Sequence, residues 1–471
     1  MLKTTQINMI RLKTSVQKFL HNKLVVLPII KTNYTNLLHK ISFFTDFKNK
    51  TLKTILNYIG YAFFLLLLKI SDSMKQKLLY FFGLPLFNNQ KYISGIWYLL
   101  ALVSSLKQYF SCNPDKYNNY LIYKNVFFHT LHKLNLYDAY PLEYFDHNHY
   151  GPIFSVVIAP FAVLPDIVGM TLWSLFNTFV LLYAIKKLPV NPAQINAILW
   201  ICAHEFLTTI LSFQFNPIMG AIIIFSFVFI ITRKDILAAM AIVLGVFVKI
   251  YGIVGLAFFF FSKQKVKFIL WLLIWSALLF AIPMLFSSPQ FIVQTYHDWF
   301  ERLVVKNSEN ASLLSMQDIS FMGIFRRVLQ NPNLSNIPFL LFGIICFGLP
   351  YLRISYYKNP KFQLLLLSSV LIFTVIFSSG SESPTYIIAF LGVAIWFVIK
   401  EKKVSNWDIF LLVFALILTS FSPSDLIPKF LREQYIKPYA LKALPCVLIW
   451  FQIVFEMMTL KSSTAEKITL Q

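Results

Sequence analysis

Charge and glycine are both scarce in this 471-residue chain, and each shortage excludes a class of protein before any motif is read. Asp, Glu, Lys and Arg make up 13% of the residues and hydrophobic side chains 57%, with a mean hydropathy of +0.65. A soluble domain carries about 25% charged and roughly 45–50% apolar residues, so an ordinary soluble globular fold is excluded. Glycine numbers 14, about 3% against a usual ~7%, which argues against the close helix packing and broken helices of a transporter. Four cysteines, Cys112, Cys202, Cys346 and Cys446, are scattered without paired spacing and give neither a disulfide framework nor a metal site. Heptads, low-complexity tracts and internal repeats are absent from the sequence as well.

What the chain does have is long greasy segments. Val266 to Phe286, VKFILWLLIWSALLFAIPMLF, has the length of a bilayer crossing, which takes about 20 apolar residues. The series predicts an all-α polytopic membrane protein with crossings near 93–111, 152–165, 167–185, 193–212, 216–232, 236–262 (long enough to be broken), 266–286, 337–353, 361–378, 385–400, 407–421 and 439–459, about 12 in all. Lys and Arg number 42 against 20 Asp and Glu, a net charge of +22. These basic residues mostly punctuate apolar segments, as membrane-flanking charges do, and nucleic acid is not an expected partner.

Basic loops also give an orientation. Ser262–Lys267, Arg353–Lys361, Lys400–Lys403 and the tail after Lys461 agree with one alternation that puts them in the cytoplasm and puts 111–151, 287–336, 379–384 and 422–438 outside. Upstream the alternation fails, because Lys186, Lys187, Arg233 and Lys234 cannot be cytoplasmic if every segment from 152 to 262 crosses once. One of those segments is therefore expected to be re-entrant or a hairpin. Residues 1–73 form a separate basic extension: 1–53 alone hold ten Lys/Arg and one Asp, a charge of +9. They read as an interfacial segment attracted to anionic lipid, as sequence upstream of a true start at Met74, or, less well given few arginines, as a mitochondrial presequence. The transmembrane domain is expected over 74–471.

The first long outer loop is too aromatic to be disordered and is expected to fold as short helices on the membrane surface, with its Tyr, Phe and His at headgroup level. It holds the densest set of reactive side chains: Asp115, Asp138, Glu143, Asp146, His147 and His149, with Tyr137 and Tyr150 among them. A carboxylate beside the membrane is what an enzyme needs to deprotonate an attacking sugar hydroxyl, although any one of these alone reads better as the polar residue of a solvated loop. His147 and His149 beside Asp146 have weak spacing for metal ligands, and neither metal nor cofactor is expected. Gln214 and Asn216 stand where two apolar segments meet, and such amides bind sugar hydroxyls or cap the following helix, which Pro217 supports. His204 and Glu205 are ionisable groups in or near an apolar segment, functional candidates by their cost alone.

Lys249 is placed inside an apolar run of about 20 residues, AIVLGVFVKIYGIVGLAFFFF, where a cation calls for an anionic partner such as a lipid phosphate. Arg326 and Arg327 in the second long outer loop suit bidentate phosphate recognition, or less specific contact with lipid headgroups. Asn310 begins an Asn-Ala-Ser sequon in the same loop, and Glu382 adds a carboxylate on a short outer turn.

In order along the chain, NNYLIYKNVFFHTLHKLNLYDAYP, YGPIFSVVIAPFAVLP and LWSLFNTFVLLYAI resemble the N-terminal half of glycosyltransferase family 87. The echoes lie at Asn119 to Tyr123, Leu136-Tyr137, Tyr150 to Pro152 and Ala159 to Pro165, and extend to Gln214/Asn216, Gly245/Lys249 and Gly323 to Arg327, covering about 90–400. The resemblance implies a GT-C-like bundle and inverting transfer of a sugar, a hexose such as mannose, from a polyprenyl-phosphate donor to a glycan or glycolipid acceptor on the outer face of a cell membrane. It implies donor contacts from Lys249, Arg326, Arg327, Gln214, Asn216, Tyr137 and Tyr150. One position departs: where the family pattern begins with Asp this chain has Asn119, and an amide is no general base. Either Asp138, Asp146, Asp115 or Glu382 supplies the base, or the protein is a catalytically silent GT-C-like partner. A polytopic transporter or flippase is the competing class.

Overall fold

Side-chain caps mark where several of the apolar stretches begin as helices. Asn89, Asn191, Asn359 and Ser405 each accept backbone N–H bonds at a helix start, satisfying donors that the helix itself leaves unpaired. A computed structural model describes residues 85–400 and 404–461. The expected 1–73 extension lies outside the described residues. Among the described residues all regular structure is helical. In chain order the main helices are α1 (Gln90–Phe110), α2 (Asn118–His132), α3 (Phe154–Ala162), α4 (Asp166–Lys186), α5 (Pro192–Ile210), α6 (Asn216–Ile231) and α7 (Asp235–Val248). After a 3₁₀ segment (Ile250–Phe261) come α8 (Lys265–Ala281), α9 (Pro289–Asn310), α10 (Phe321–Val328), α11 (Ile337–Gly348), α12 (Pro360–Ile376), α13 (Tyr386–Val398), α14 (Asn406–Phe414) and α15 (Leu444–Thr459).

α13 is the centre of the bundle. Every residue from Tyr386 to Trp396 is buried, as expected of a helix that is apolar all round and packed against α5, α6, α12 and α15. α8 is its opposite: of its seventeen residues only Phe268 and Leu279 are buried, so an apolar surface faces outward, as it would toward lipid. Asp166–Lys186, Lys265–Leu285 and Leu441–Thr459 are each long and apolar enough to cross a membrane, and a further set of apolar helices runs 10–17 residues.

Two segments depart from the expected crossings. The stretch 152–165 forms only the nine-residue α3, about 14 Å at the α-helical rise, with Pro160 inside it. That is too short to span, and α3 instead pairs with α2, where the Tyr120 hydroxyl donates to the Phe161 carbonyl at 3.0 Å. The stretch 236–262 is broken at Lys249, which is extended at φ −154° and ψ 109°, and the chain doubles back. At one end the Ser262 hydroxyl donates to Asp235 at 3.2 Å; at the other, a Cβ on Gly252 would lie 2.3 Å from the carbonyl carbon of Gly245. α7 and the 3₁₀ segment are therefore two legs of a hairpin with Lys249 at its tip.

These two corrections bring the basic loops together. Gln194 donates to the Val398 carbonyl at 2.7 Å, Lys400 pairs with Glu456, and Arg353 donates to the carbonyls of Met457 and Leu460. Phe261 packs on Tyr357, with ring centroids 5.7 Å apart, and Asp235 meets Ser262. Lys186/Lys187, Arg233/Lys234 and the downstream basic loops thus share one end of the bundle, and the conflict read from the sequence disappears. The long loops also differ from expectation. α2 turns Tyr120, Tyr123, Val126 and Phe127 into the protein rather than to headgroups, and the amphipathic α9 fills 22 residues of the stretch 287–336.

Candidate functional site

At the end of the bundle opposite the basic loops, α2, the 133–153 loop, Gln214 just before α6, the hairpin tip, α9 and the 378–382 turn enclose a cavity of about 350 Å³. Its floor is an oriented hydrogen-bond chain. Lys249 Nζ donates to Asn216 Oδ1 at 3.0 Å, Asn216 Nδ2 donates to Gln214 Oε1, and Gln214 Nε2 donates to Glu382 Oε1 at 2.6 Å. Both amides point the same way, so an ammonium and a carboxylate are joined through two dipoles aligned between them. The helix break at Lys249 makes this possible, because an extended residue at the hairpin tip aims its side chain sideways toward the start of α6. The ammonium also lies 4.9 Å from the ring centre of Tyr251 and 5.7 Å from that of Tyr150, within cation–π range.

Gly151 fixes the neighbouring loop against that tip. Its N–H donates to the Val248 carbonyl at 3.1 Å, and a Cβ there would sit 2.0 Å from the Phe247 carbonyl oxygen. Tyr150 is buried, its hydroxyl 2.9 Å from that of Tyr123, and Tyr137 stands behind it, donating to the Tyr150 carbonyl at 3.1 Å. Tyr150 and Tyr123 line the cavity whereas Tyr137 braces the loop from outside it.

The four carboxylates proposed as a base separate cleanly. Asp146, itself an exposed side chain, and Glu382 line the cavity; Asp115 and Asp138 are exposed and do not line it. Asp146 has φ +71°, an uncommon left-handed conformation that Asp tolerates, and its Oδ1 accepts from the His147 N–H at 2.8 Å. Asn119 also lines the cavity, with its amide Nδ2 donating to the Ser212 carbonyl at 2.8 Å. His149 lines it with neither ring nitrogen hydrogen-bonded. Burial, then Lys306, prevail over the opposing pull of Asp146 and push its pKa down to about 3, so the ring is neutral.

The arginine pair is not in the cavity. Arg326 is ion-paired with Asp318 and donates to Leu334 and Asn336, while Arg327 donates to the carbonyls of Ser315, Gln317 and Asp318. Most of their guanidinium donors hold the 315–320 segment and the 334–336 stretch, the buried Arg326 Nε alone of that side chain's donors having no partner, and the Asp318 and Ile319 N–H groups bond the carbonyls of Ser379 and Ser381 beside Glu382. The expected phosphate role is therefore replaced by a structural one. Arg326→Met leaves the Asp318 carboxylate buried and unpaired and is expected to cost about 3–5 kcal/mol of stability. Lipid-phosphate affinity of the folded fraction should not change; chemical unfolding and a binding titration on the same preparation check both.

Glu205 is fully buried and paired with Lys442 at 2.7 Å, and His204 meets Ser420, so these two residues tie α5 to the C-terminal elements rather than line the cavity. Asn310, the sequon residue, is 3% exposed and faces the cavity. His297, Asp298 and Glu301 lie close enough on α9 to share an ion, but they do not line the cavity and Gln294 and Asn135 already occupy the Asp298 carboxylate. Sequence reading passed over Tyr251, Lys306, Ser378 and Ser379, although the polar run SSGSES between two apolar helices was a usable signal.

No curated protein matches the chain. Residues 148–379 match the family model of glycosyltransferase family 87, a region that contains Tyr150, Gln214, Asn216, Lys249 and both arginines and leaves Asn119, Asp146 and Glu382 outside. The family 87 match therefore spans the hairpin and α9 that line the cavity, as the ordered motifs implied, and supports a glycosyltransferase.

Proposed function

We propose that the cavity takes a polyprenyl-phosphate-linked hexose from the membrane and transfers the sugar, with inversion, to a hydroxyl of a glycan or glycolipid. The observation that carries this reading is Lys249. Of the three N–H donors on its ammonium, one is used by Asn216, and the group stands at the tip of an apolar hairpin facing a polar cavity. A cation so placed is costly unless an anion joins it. From that point Ile250, Ile253, Leu256 and Phe260 form an exposed apolar stripe along the 3₁₀ leg, a path for an isoprenoid tail running from a phosphate at Lys249 into lipid. The cavity lies opposite the basic loops, which by the positive-inside rule makes its face the outer one of a multi-pass protein. Counting both hairpin legs and omitting α3 keeps about 12 passes.

Asp146 is the base in this reading. Glu382 is engaged as the terminus of the chain from Lys249, whereas the Asp146 carboxylate keeps acceptor capacity toward the cavity. The acceptor O–H gives its proton to Asp146 while the oxygen bonds the anomeric carbon, and the bond from that carbon to the phosphate oxygen breaks with its electron pair on the phosphate. The test is the affinity of undecaprenyl phosphate for the purified protein. Lys249→Met should weaken it about 10–100-fold, the worth of a charge-assisted bond of ~1.5–3 kcal/mol, with thermal stability unchanged or raised. Equal affinity in both proteins would overturn the donor site, and binding without turnover of any phosphoprenyl sugar would favour the silent-partner alternative raised by Asn119.

A further inference from the structure

His149 and Asn310 are two cavity groups that the transfer reading above leaves unused, and both are unsatisfied. Each ring nitrogen of His149 is buried without a hydrogen-bond partner, and so is the Asn310 side-chain oxygen. Both residues line the same cavity. An unpaired buried polar group is destabilising, and folded proteins keep few of them.

The chain around each residue is held in place. The His149 carbonyl accepts from the Trp299 indole at 2.9 Å, and the adjacent Asn148 side chain both donates to the Tyr150 carbonyl and accepts from the Tyr150 N–H. Asn310 is the last residue of α9, where the Ser379 hydroxyl also donates to Asn307 Oδ1 at 2.7 Å. Asp146 Oδ1 lies 3.8 Å from His149 Nε2 and 3.8 Å from Lys306, and Arg302, whose charge also reaches His149, is paired with Glu309 at 3.0 Å, so both cations near this wall already face carboxylates.

We infer that His149 and Asn310 form the subsite for the acceptor, and that the acceptor is a neutral polyhydroxyl ring. This rests on the transfer reading of the cavity and adds to it which wall holds which substrate. Asn310 Oδ1 and Asp146 accept only, so whatever meets them must donate hydrogen bonds. A neutral imidazole offers one donor and one acceptor, which a hydroxyl matches in both directions. A phosphate or carboxylate would bring acceptors to the oxygens of Asn310 and Asp146, and Lys306, the cation beside them, already faces the Asp146 and Glu309 carboxylates. The ionic partner for an anion is Lys249, at the hairpin tip, so the donor phosphate and the acceptor ring are sorted by hydrogen-bond polarity. A hydroxyl placed against His149 is also within reach of Asp146 for proton removal.

The experiment uses the full chain in lipid nanodiscs, with myo-inositol and methyl α-mannoside as neutral probes, glucuronate as the anionic one and undecaprenyl phosphate for the donor site. Wild-type protein is expected to bind a neutral probe at least tenfold better than glucuronate. His149→Leu and Asn310→Leu should each weaken the neutral probe about five- to tenfold and leave undecaprenyl phosphate affinity unchanged, while Lys249→Met gives the reverse. Thermal stability should hold or rise in both leucine variants, because an orphaned polar group has been removed; a residue needed for folding would lower it. His149→Gln restores a donor and an acceptor and should recover part of the affinity even if the leucine variant folds poorly. Equal loss of both ligands in the leucine variants, or glucuronate binding as well as the neutral probes, would overturn the inference. Undecaprenyl phosphate binding with no neutral probe bound would overturn it alone, whereas failure of wild-type protein to bind either ligand removes the transfer reading with it.

Discussion

Asp146→Asn is expected to lower sugar transfer about 10²–10⁴-fold while leaving undecaprenyl phosphate affinity intact, because it removes a proton acceptor and keeps the shape of the side chain. Glu382→Gln should behave differently. Its carboxylate ends the chain that starts at Lys249, so the amide change should act first on donor affinity. Measured side by side, the two variants give a split: one loses kcat at constant lipid affinity, the other loses lipid affinity. Full activity in Asp146→Asn would remove it as the base. Asn119→Asp completes the set, and the structure makes its outcome unfavourable. The Asn119 amide donates to the Ser212 carbonyl, so an ionised carboxylate there would face that carbonyl oxygen, and a gain in activity is not expected despite the family pattern.

How far the sequence reached is best seen at three places. The cavity floor was legible residue by residue, since Gln214, Asn216, Lys249 and Glu382 each stood out as a polar group against apolar flanks. Their assembly into one chain was not, because it depends on Lys249 lying at a reversal of direction. A continuous apolar run from 236 to 262 carries no polar turn, and hydrophobicity alone does not separate one long helix from two legs folded back. The signal that was present is the pair Gly245 and Gly252, which bracket the lysine and have no side chains to keep the legs apart. The second place is 152–165, which is apolar enough for a crossing but whose 14 residues fall below the length of one. The third is the arginine pair. Guanidinium suits a phosphate and a buried carboxylate equally well, and Asp318, eight residues before Arg326, was the nearer anion. Asp138 failed for a related reason: it shares a loop with Tyr137 and Tyr150, but the backbone turns it out to solvent while they turn in.

Gly252→Ala is expected to destroy the donor site from a position that touches no substrate. A Cβ at 252 would lie 2.3 Å from the carbonyl carbon of Gly245 and 2.3 Å from the Val246 nitrogen. Both are backbone atoms, so no side-chain rotation relieves the contact and the two legs must separate by more than an ångström. Overpacking of this kind typically costs about 1–3 kcal/mol. The larger consequence is local, because the legs meet at the tip that carries Lys249, and its 3.0 Å bond to Asn216 is set by how closely the tip is held against α6. Three links hold that geometry: Gly252 on Gly245, Gly151 N–H on the Val248 carbonyl, and Lys249 on Asn216. Splaying the first moves Val248 relative to Gly151 and withdraws the ammonium from the head of the Asn216–Gln214–Glu382 chain. Gly252→Ala should therefore reproduce the 10–100-fold loss of undecaprenyl phosphate affinity expected of Lys249→Met and, unlike that variant, lower thermal stability as well. The double variant should lose no more lipid affinity than either single one, since both act on the same contact, and additive losses would show that the hairpin tip and the lysine serve separate ends.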